Sequence, residues 1–179
     1  MTNVAILGAG NIARQMAKTL RLMKARGDKV ELYAVGSRDK ARAEAFAQAE
    51  GFAKAYGSYE ELLRDDGVDL VYIATPHSHH GEQIEQCVTH GKAVLCEKAF
   101  TATAAQAERA LALAKEKGVT FLVASHLAAE IEKMCDKVLV LYEGEMLSFD
   151  TKEEALRLNP SLEDYFLAKV RDKKGSVVL

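Results

Sequence analysis

The chain has no tryptophan, two prolines and three cysteines in 179 residues. With so little proline, and no Ser/Gly-rich stretch in its place, nothing in the sequence marks a flexible linker between domains. Cys87, Cys96 and Cys135 are odd in number, lack C-x-x-C spacing and have no companion histidines at zinc spacing. That excludes a disulfide framework and a zinc finger, and reads as reduced thiols in a cytoplasmic protein. No apolar run reaches the ~18 residues that a membrane span requires. The formal net charge of -2 leaves no basic footprint for nucleic acid or an anionic membrane. Met1-Thr2-Asn3 leads straight into an apolar segment, so no signal peptide is expected. What the chain does have is an ordinary globular composition, 49% hydrophobic and 28% charged, at a length close to one domain.

The apolar residues fall in an alternating pattern. Asn3 to Leu7 is a short apolar run bounded by glycine, the mark of a strand buried on both faces. Ile12, Met16, Leu20 and Met23 follow at helical spacing, ending near Gly27. Further strands are predicted at 30–35, 53–56, 70–74, 93–96 and 119–124, separated by helices. Asp39 caps the second helix, which stops at Gly51, and Ser58/Glu61, Thr103/Gln106 and Thr151/Glu154 have capping-box spacing. Val138–Tyr142 and Met146–Phe149 flank a Glu-Gly-Glu turn and predict a hairpin, and two helices starting near Thr151 and Ser161 close the chain. The expected fold is a three-layer α/β arrangement: a doubly wound, mostly parallel sheet with a C-terminal β-hairpin and terminal helices. Without a linker, residues 1–179 are expected to form one merged domain with one merged sheet.

The loop Gly8-Ala9-Gly10-Asn11-Ile12-Ala13 lies between the first strand and the first helix. Gly8 permits a tight turn, and Gly10 lets the backbone approach a pyrophosphate. The helix N-terminus beyond it, at Asn11 and Ile12, supplies free N–H groups and the positive end of a dipole. Ala13 replaces the third glycine of the dinucleotide fingerprint, where only close helix–strand packing is needed. The second strand ends in Gly36-Ser37-Arg38-Asp39 rather than in the acid that would bind the ribose hydroxyls of NAD. A Ser37–Arg38 pair suits a 2′-phosphate, so NADP is the preferred cofactor in this reading and NAD the second choice. Alternatively, Arg38 is solvated and Asp39 only caps its helix. His77, His79 and His80 invite a metal reading, but neighbouring loop histidines diverge and no carboxylate completes a ligand spacing. No metal site is expected.

Four stretches in order, Gly8–Ala13, Ser37-Arg38, Ala74-Thr75-Pro76-His77-Ser78-His79-His80 and Gly91–Lys98, make residues 1–119 resemble one known family. It is the N-terminal Rossmann domain of the glucose–fructose oxidoreductase/inositol dehydrogenase/rhizopine catabolism oxidoreductases. The resemblance implies that Thr75, Pro76 and His77 lie beside the nicotinamide ribose. It further implies that Glu97 and Lys98 are the family's Glu-Lys pair, with Lys98 as the catalytic donor to the substrate hydroxyl. Ala99 stands where the family has proline, which puts the aim of Lys98 in question, and the sixty or so residues after Gly118 do not resemble the family's second domain.

Residues 120–170 resemble instead the C-terminal part of an ABC transporter ATPase subunit. Phe121–Leu127 ends in Ser-His, and Val138–Leu141, Glu143-Gly144-Glu145 and Thr151-Lys152-Glu153-Glu154 follow in that family's order. No Gly-x-x-x-x-Gly-Lys-Ser/Thr loop is present, so ATP hydrolysis is not expected and His126 reads as a relic. Two resemblances meeting near Lys115–Phe121 lead to the expectation of an engineered chimera that binds NADP(H) without evolved catalysis. A sugar- or polyol-directed NAD(P)-dependent oxidoreductase is the alternative, and a structural fusion without ligand is a third. The dinucleotide is the one partner called, and self-association into a homodimer is left open.

Overall fold

The computed structural model describes residues 1–96, 101, 103–124 and 128–175. The chain divides into two compact units, residues 1–124 and 125–179.

In the first unit, strands and helices alternate. They are β1 (Thr2–Leu7), α1 (Asn11–Arg26), β2 (Val30–Gly36), α2 (Lys40–Glu50), β3 (Lys54–Tyr56), α3 (Tyr59–Leu63) and β4 (Leu70–Ile73). A 3₁₀ turn (His77–His79) leads into α4 (His80–Thr89), followed by β5 (Ala93–Cys96), α5 (Ala104–Lys117) and β6 (Phe121–Val123). The sheet order is β3-β2-β1-β4-β5-β6, with every pairing parallel. The order reverses between β1 and β4, and such a switch point opens a crevice at the carboxyl ends of the strands.

Alternation along β1 explains the three layers. Val4 and Ile6 point to one face, where they pack with Ala13, Ala17 and Leu20 of α1 and Phe46 of α2. Ala5 and Leu7 point to the other, among Leu62, Leu63, Ile84, Val88 and Ala110. Both faces are covered, so the central strands are apolar throughout. Small residues at positions 13 and 17, both fully buried, let α1 sit close to the sheet. Helix ends follow the sequence signals. Asp39 accepts the Arg42 amide at 3.2 Å, and Gly27, Gly51 and Gly118 close α1, α2 and α5 in the left-handed conformation.

The second unit contains α6 (Ala128–Met134), β7 (Lys137–Tyr142), β8 (Glu145–Thr151), α7 (Lys152–Leu156) and α8 (Leu162–Gly175). β7 and β8 form an antiparallel two-stranded sheet of their own, which corrects the expectation of one merged sheet. The cause is local: Glu143 and Gly144 both have positive φ, the signature of a two-residue turn that matches strand twist and closes the ladder on itself. Val140, Ala155, Leu162 and Tyr165 form this unit's core. Thr151 starts α7 with a complete capping box, its Oγ1 accepting the Glu154 amide at 3.2 Å while the Glu154 carboxylate accepts the Thr151 amide at 2.9 Å. Thr151→Ala is expected to destabilise this unit by about 1 kcal/mol, read as a lower denaturant midpoint with an unchanged slope.

Candidate cofactor site

The glycine loop lies where the crevice opens. Gly8 has φ +103°, and a Cβ placed there would stand 3.0 Å from the Ala74 carbonyl oxygen, just past β4. Only glycine lets the β1 loop lie this close to the β4 loop. Gly10 is the N-cap of α1, and no side chain caps that helix end. A Cβ on Gly10 would meet nothing within 4 Å, and the first turn of α1 carries no acid. The first-turn amides at exposed Asn11 and Ile12 therefore face a region without anionic competition. This cradle fits a pyrophosphate: open backbone, a helix dipole and no carboxylate to repel it.

A cleft of about 330 Å³ extends from the loop, lined by Ala9, Gly10, Asn11, Arg14, Arg42 and Phe46 among others. Arg14 is held by Glu50, its Nε donating at 3.2 Å, while Arg21 donates to the same carboxylate at 2.5 Å. Glu50 is only 7% exposed, so two guanidiniums offset the burial of one carboxylate. Across the cleft, Arg42 reaches back from α2. Its Nε and Nη2 donate to the Ala9 carbonyl at 3.3 and 3.0 Å.

At the end of β2, Ser37 is buried, its amide donating to the Tyr56 carbonyl at 3.1 Å and its Oγ accepting the Asp39 amide at 3.3 Å. Arg38 is exposed. Burial pushes the Tyr59 hydroxyl up, and the charges of Arg38 and Arg42 both pull it down. Both guanidiniums thus act on the ground beside the β2 end.

On the other side of the switch point, Thr75 is half-buried while Pro76, His77 and His79 are exposed. The Thr75 hydroxyl donates to Gln83 Oε1. The Thr75 carbonyl lies 2.9 Å from His80 Nε2, and a carbonyl can only accept, so that nitrogen carries the proton. His80 Nδ1 then accepts from the thiol of Cys96, whose Sγ lies 3.4 Å away. Buried His80 ties the Thr75 loop to the end of β5, whereas His77 and His79 are exposed. Glu97, Lys98 and His126 lie outside the described residues.

Sequence reasoning missed Arg42 and Gln83, and weighed His80 only as a metal ligand. Arg42 was legible only as a basic residue in the first turns of a helix that borders the loop; its reach to Ala9 depends on how α2 packs. The Thr75–Gln83 pair is separated by eight residues and the Cys96–His80 pair by sixteen, across a turn whose course no local pattern gives.

Residues 2–125 match the model of an oxidoreductase family with an NAD-binding Rossmann fold, the GFO/IDH/MocA family. The chain belongs to it. Among curated relatives, bovine trans-1,2-dihydrobenzene-1,2-diol dehydrogenase is 40% identical over 66% of this chain and 35% of the relative. D-xylose 1-dehydrogenase (NADP(+)) of Hypocrea jecorina is 49% identical over 63% of this chain and 31% of the relative. Among solved structures, an NAD binding oxidoreductase from Klebsiella pneumoniae superposes with TM-score 0.65 at 30% identity, covering 73% of this chain and 35% of that one. A 3-ketoreductase from Actinomadura kijaniata in complex with NADP gives TM-score 0.61 at 32% identity, covering 68% and 37%. The chain spans about a third of the length of these relatives.

These findings overturn the expectation of an engineered chimera without evolved catalysis. The relatives are NAD(P)-dependent oxidoreductases, and the family match runs unbroken to residue 125, past the supposed junction near Lys115–Phe121. β6, within the matched residues, pairs in parallel with β5. The ABC-ATPase resemblance of residues 120–170 finds no support in these comparisons. Among the described residues, no helix is long and apolar enough to cross a membrane, and no group of three metal-ligating side chains converges.

Proposed function

We propose that this chain binds NADP(H) in preference to NAD(H) and serves an oxidoreductase acting on a sugar, polyol or related diol. The observation that carries this reading is the glycine cradle: Gly8 pressed against Ala74, and an uncapped, acid-free α1 N-terminus opening on a cleft with two arginines. Gly8, Gly10, Asn11 and Ile12 would hold the pyrophosphate through backbone groups. Ser37 and Arg38 would hold the adenosine ribose and its 2′-phosphate, and Thr75, Pro76 and His77 would border the nicotinamide ribose. The bound dinucleotide supplies hydride chemistry; Lys98, with Glu97 beside it, would donate to the substrate oxygen and move its proton. The names of the relatives, a diol dehydrogenase and an NADP-dependent xylose dehydrogenase, favour polyhydroxylated substrates.

Calorimetric titration with NADPH, NADH and ATP tests the reading. NADPH is expected to bind at least about tenfold more tightly than NADH, the scale of one charge-assisted hydrogen bond, with no ATP binding. Arg38→Ala should erase most of that preference. Equal affinity for the two dinucleotides, or indifference to Arg38→Ala, refutes the NADP assignment. Oxidation of D-xylose or a cyclic diol should disappear in Lys98→Ala while NADPH binding persists.

A further inference from the structure

We infer that buried His80 is a positioning residue for the nicotinamide half of the dinucleotide: one imidazole, carried by α4, fixes the Thr75 loop to the end of β5. This deepens the preceding proposal and rests on its placing of Thr75, Pro76 and His77 beside the nicotinamide ribose. Three contacts set Thr75. Its carbonyl accepts from His80 Nε2 at 2.9 Å, and its hydroxyl donates to Gln83 Oε1. Its methyl carbon stands 3.4 Å from the place a Cβ on Gly8 would take. His80 and Gln83 are three residues apart, neighbours on one face of α4, and are only 1% and 5% exposed. The carbonyl and hydroxyl of Thr75 are thus turned to α4, and its methyl to the glycine loop.

The same ring reaches a second segment. His80 Nδ1 accepts from the Cys96 thiol, whose Sγ is 3.4 Å away, and Cys96 is the last residue of β5 and the chain neighbour of Glu97. A neutral imidazole carries one donor and one acceptor, and here the donor meets a carbonyl and the acceptor a thiol. The rigid ring therefore acts as a spacer of fixed length between the loop after β4 and the end of β5. Those are the segments that the preceding reading gives to the nicotinamide ribose and, one residue further on, to the Glu97-Lys98 pair. A side chain present only to fill this space would be apolar, because a buried imidazole needs partners for both nitrogens to offset its desolvation. His77 and His79 are exposed and take no part in the link.

Calorimetric titration of the full chain tests the role with four probes. NADPH and NADH are the whole dinucleotides, and adenosine 2′,5′-bisphosphate and adenosine 5′-diphosphate stand for their adenosine halves. His80→Ala is expected to weaken the whole dinucleotides about tenfold, the scale of one buried hydrogen bond, and to leave the halves within about twofold. His80→Gln, whose Nε2 can still donate to the Thr75 carbonyl, should recover most of that loss. Cys96→Ala removes only the weak thiol donor and should weaken the whole dinucleotides about two- to threefold. Equal weakening of wholes and halves by His80→Ala means that the ring merely supports the fold, and overturns the inference; unchanged binding of all four probes does the same. Should His80→Ala fail to fold, the wild-type ring decides. Its nitrogen resonances should show the proton on Nε2 and move with NADPH but not with either half, whereas a proton on Nδ1, or an equal response to the halves, refutes the role. A wild-type chain that binds none of the four probes removes the dinucleotide reading, and this inference with it, before any variant is made.

Discussion

Gly8→Val is expected to abolish dinucleotide binding, weakening NADPH by more than about 100-fold, and to destabilise the first unit by about 1–3 kcal/mol. The stability cost has two sources. At φ +103° a β-branched residue is far from any allowed basin, and its Cβ would stand 3.0 Å from the Ala74 oxygen and 3.3 Å from the Ala74 carbonyl carbon. Both contacts are backbone, so neither can swing aside as a flexible side chain would. Relief has to come from moving the β1 loop away from the β4 loop, which are the two walls of the crevice. Such a shift takes the first-turn amides of α1 away from the pyrophosphate they would hold, and binding falls further than stability does. A control separates the effects. Gly27 also has positive φ, at +94°, but a Cβ there meets nothing within 4 Å and it lies at the far end of α1. Gly27→Ala should therefore cost about 1 kcal/mol and leave dinucleotide affinity within twofold. Titration of both variants beside their urea unfolding curves decides the matter. Retention of NADPH binding in folded Gly8→Val would remove the glycine loop from the site.

Much of this arrangement could be read before the fold was known, because it rests on local chemistry. Asn3–Leu7 is apolar on both sides of the strand, Asp39 stands one residue before its helix, and Gly27, Gly51 and Gly118 mark helix ends by the conformation only glycine adopts cheaply. The strand positions followed from the same punctuation, whereas the strand order that places Gly8 beside Ala74 came only with the structure. Two kinds of information were not local. Arg42 on Ala9, and His80 between Thr75 and Cys96, depend on how separate elements pack. Ser58 shows the limit of a motif: its Oγ accepts the Glu61 amide at 3.1 Å as the spacing implies, yet α3 is only five residues long. The resemblance of 120–170 has no support from the comparisons, and the family match ends at residue 125. A short strand, a helix and a hairpin with a Glu-Gly turn are units that many α/β proteins share, so a faithful order of such pieces carries little about origin. Pairing of β6 with β5, and a family match running through it, are non-local facts that count against a junction before β6.

Asp65→Asn is expected to destabilise the first unit by about 2–3 kcal/mol at neutral pH, and by progressively less as the pH falls below about 4. Asp65, between α3 and β4, gathers four donors from elements far apart in sequence. Lys54 Nζ and the Tyr56 hydroxyl donate to Oδ2 at 2.7 and 2.6 Å, and the Tyr33 hydroxyl and Gly67 amide lie 3.2 and 2.9 Å from Oδ1. The backbone of the same residue is engaged too, since Lys92 Nζ donates to the Asp65 carbonyl at 2.8 Å. Burial alone would raise the Asp65 carboxyl, but the hydrogen bonds from Lys54, Tyr56 and the Gly67 amide outweigh it and hold the group well below the usual carboxylate range. The hydrogen bond to Asp65 raises Lys54 in turn, and burial together with Asp65 pushes the Tyr56 hydroxyl up to about 12. The sign follows from the depressed carboxyl. Its contribution is complete above the unfolded-state value near 4 and is lost as pH falls toward the folded value, because protonation in the unfolded chain comes first. Asparagine can still accept from some donors, but it carries no charge for Lys54 and presents an amide group where the carboxylate accepted. The wild-type and Asp65→Asn stability curves should therefore converge on the acid side and diverge toward neutrality. A constant gap from pH 7 to pH 2 would mean that packing, not ionisation, carries the effect. The packing around this cluster has its own probe in Gly67, where a Cβ would fall 2.1 Å from the Tyr33 hydroxyl oxygen. Gly67→Ala must push that ring off Asp65, so its cost should shrink in a Tyr33→Phe background but not vanish, because the ring Cζ, 2.7 Å from the added Cβ, stays.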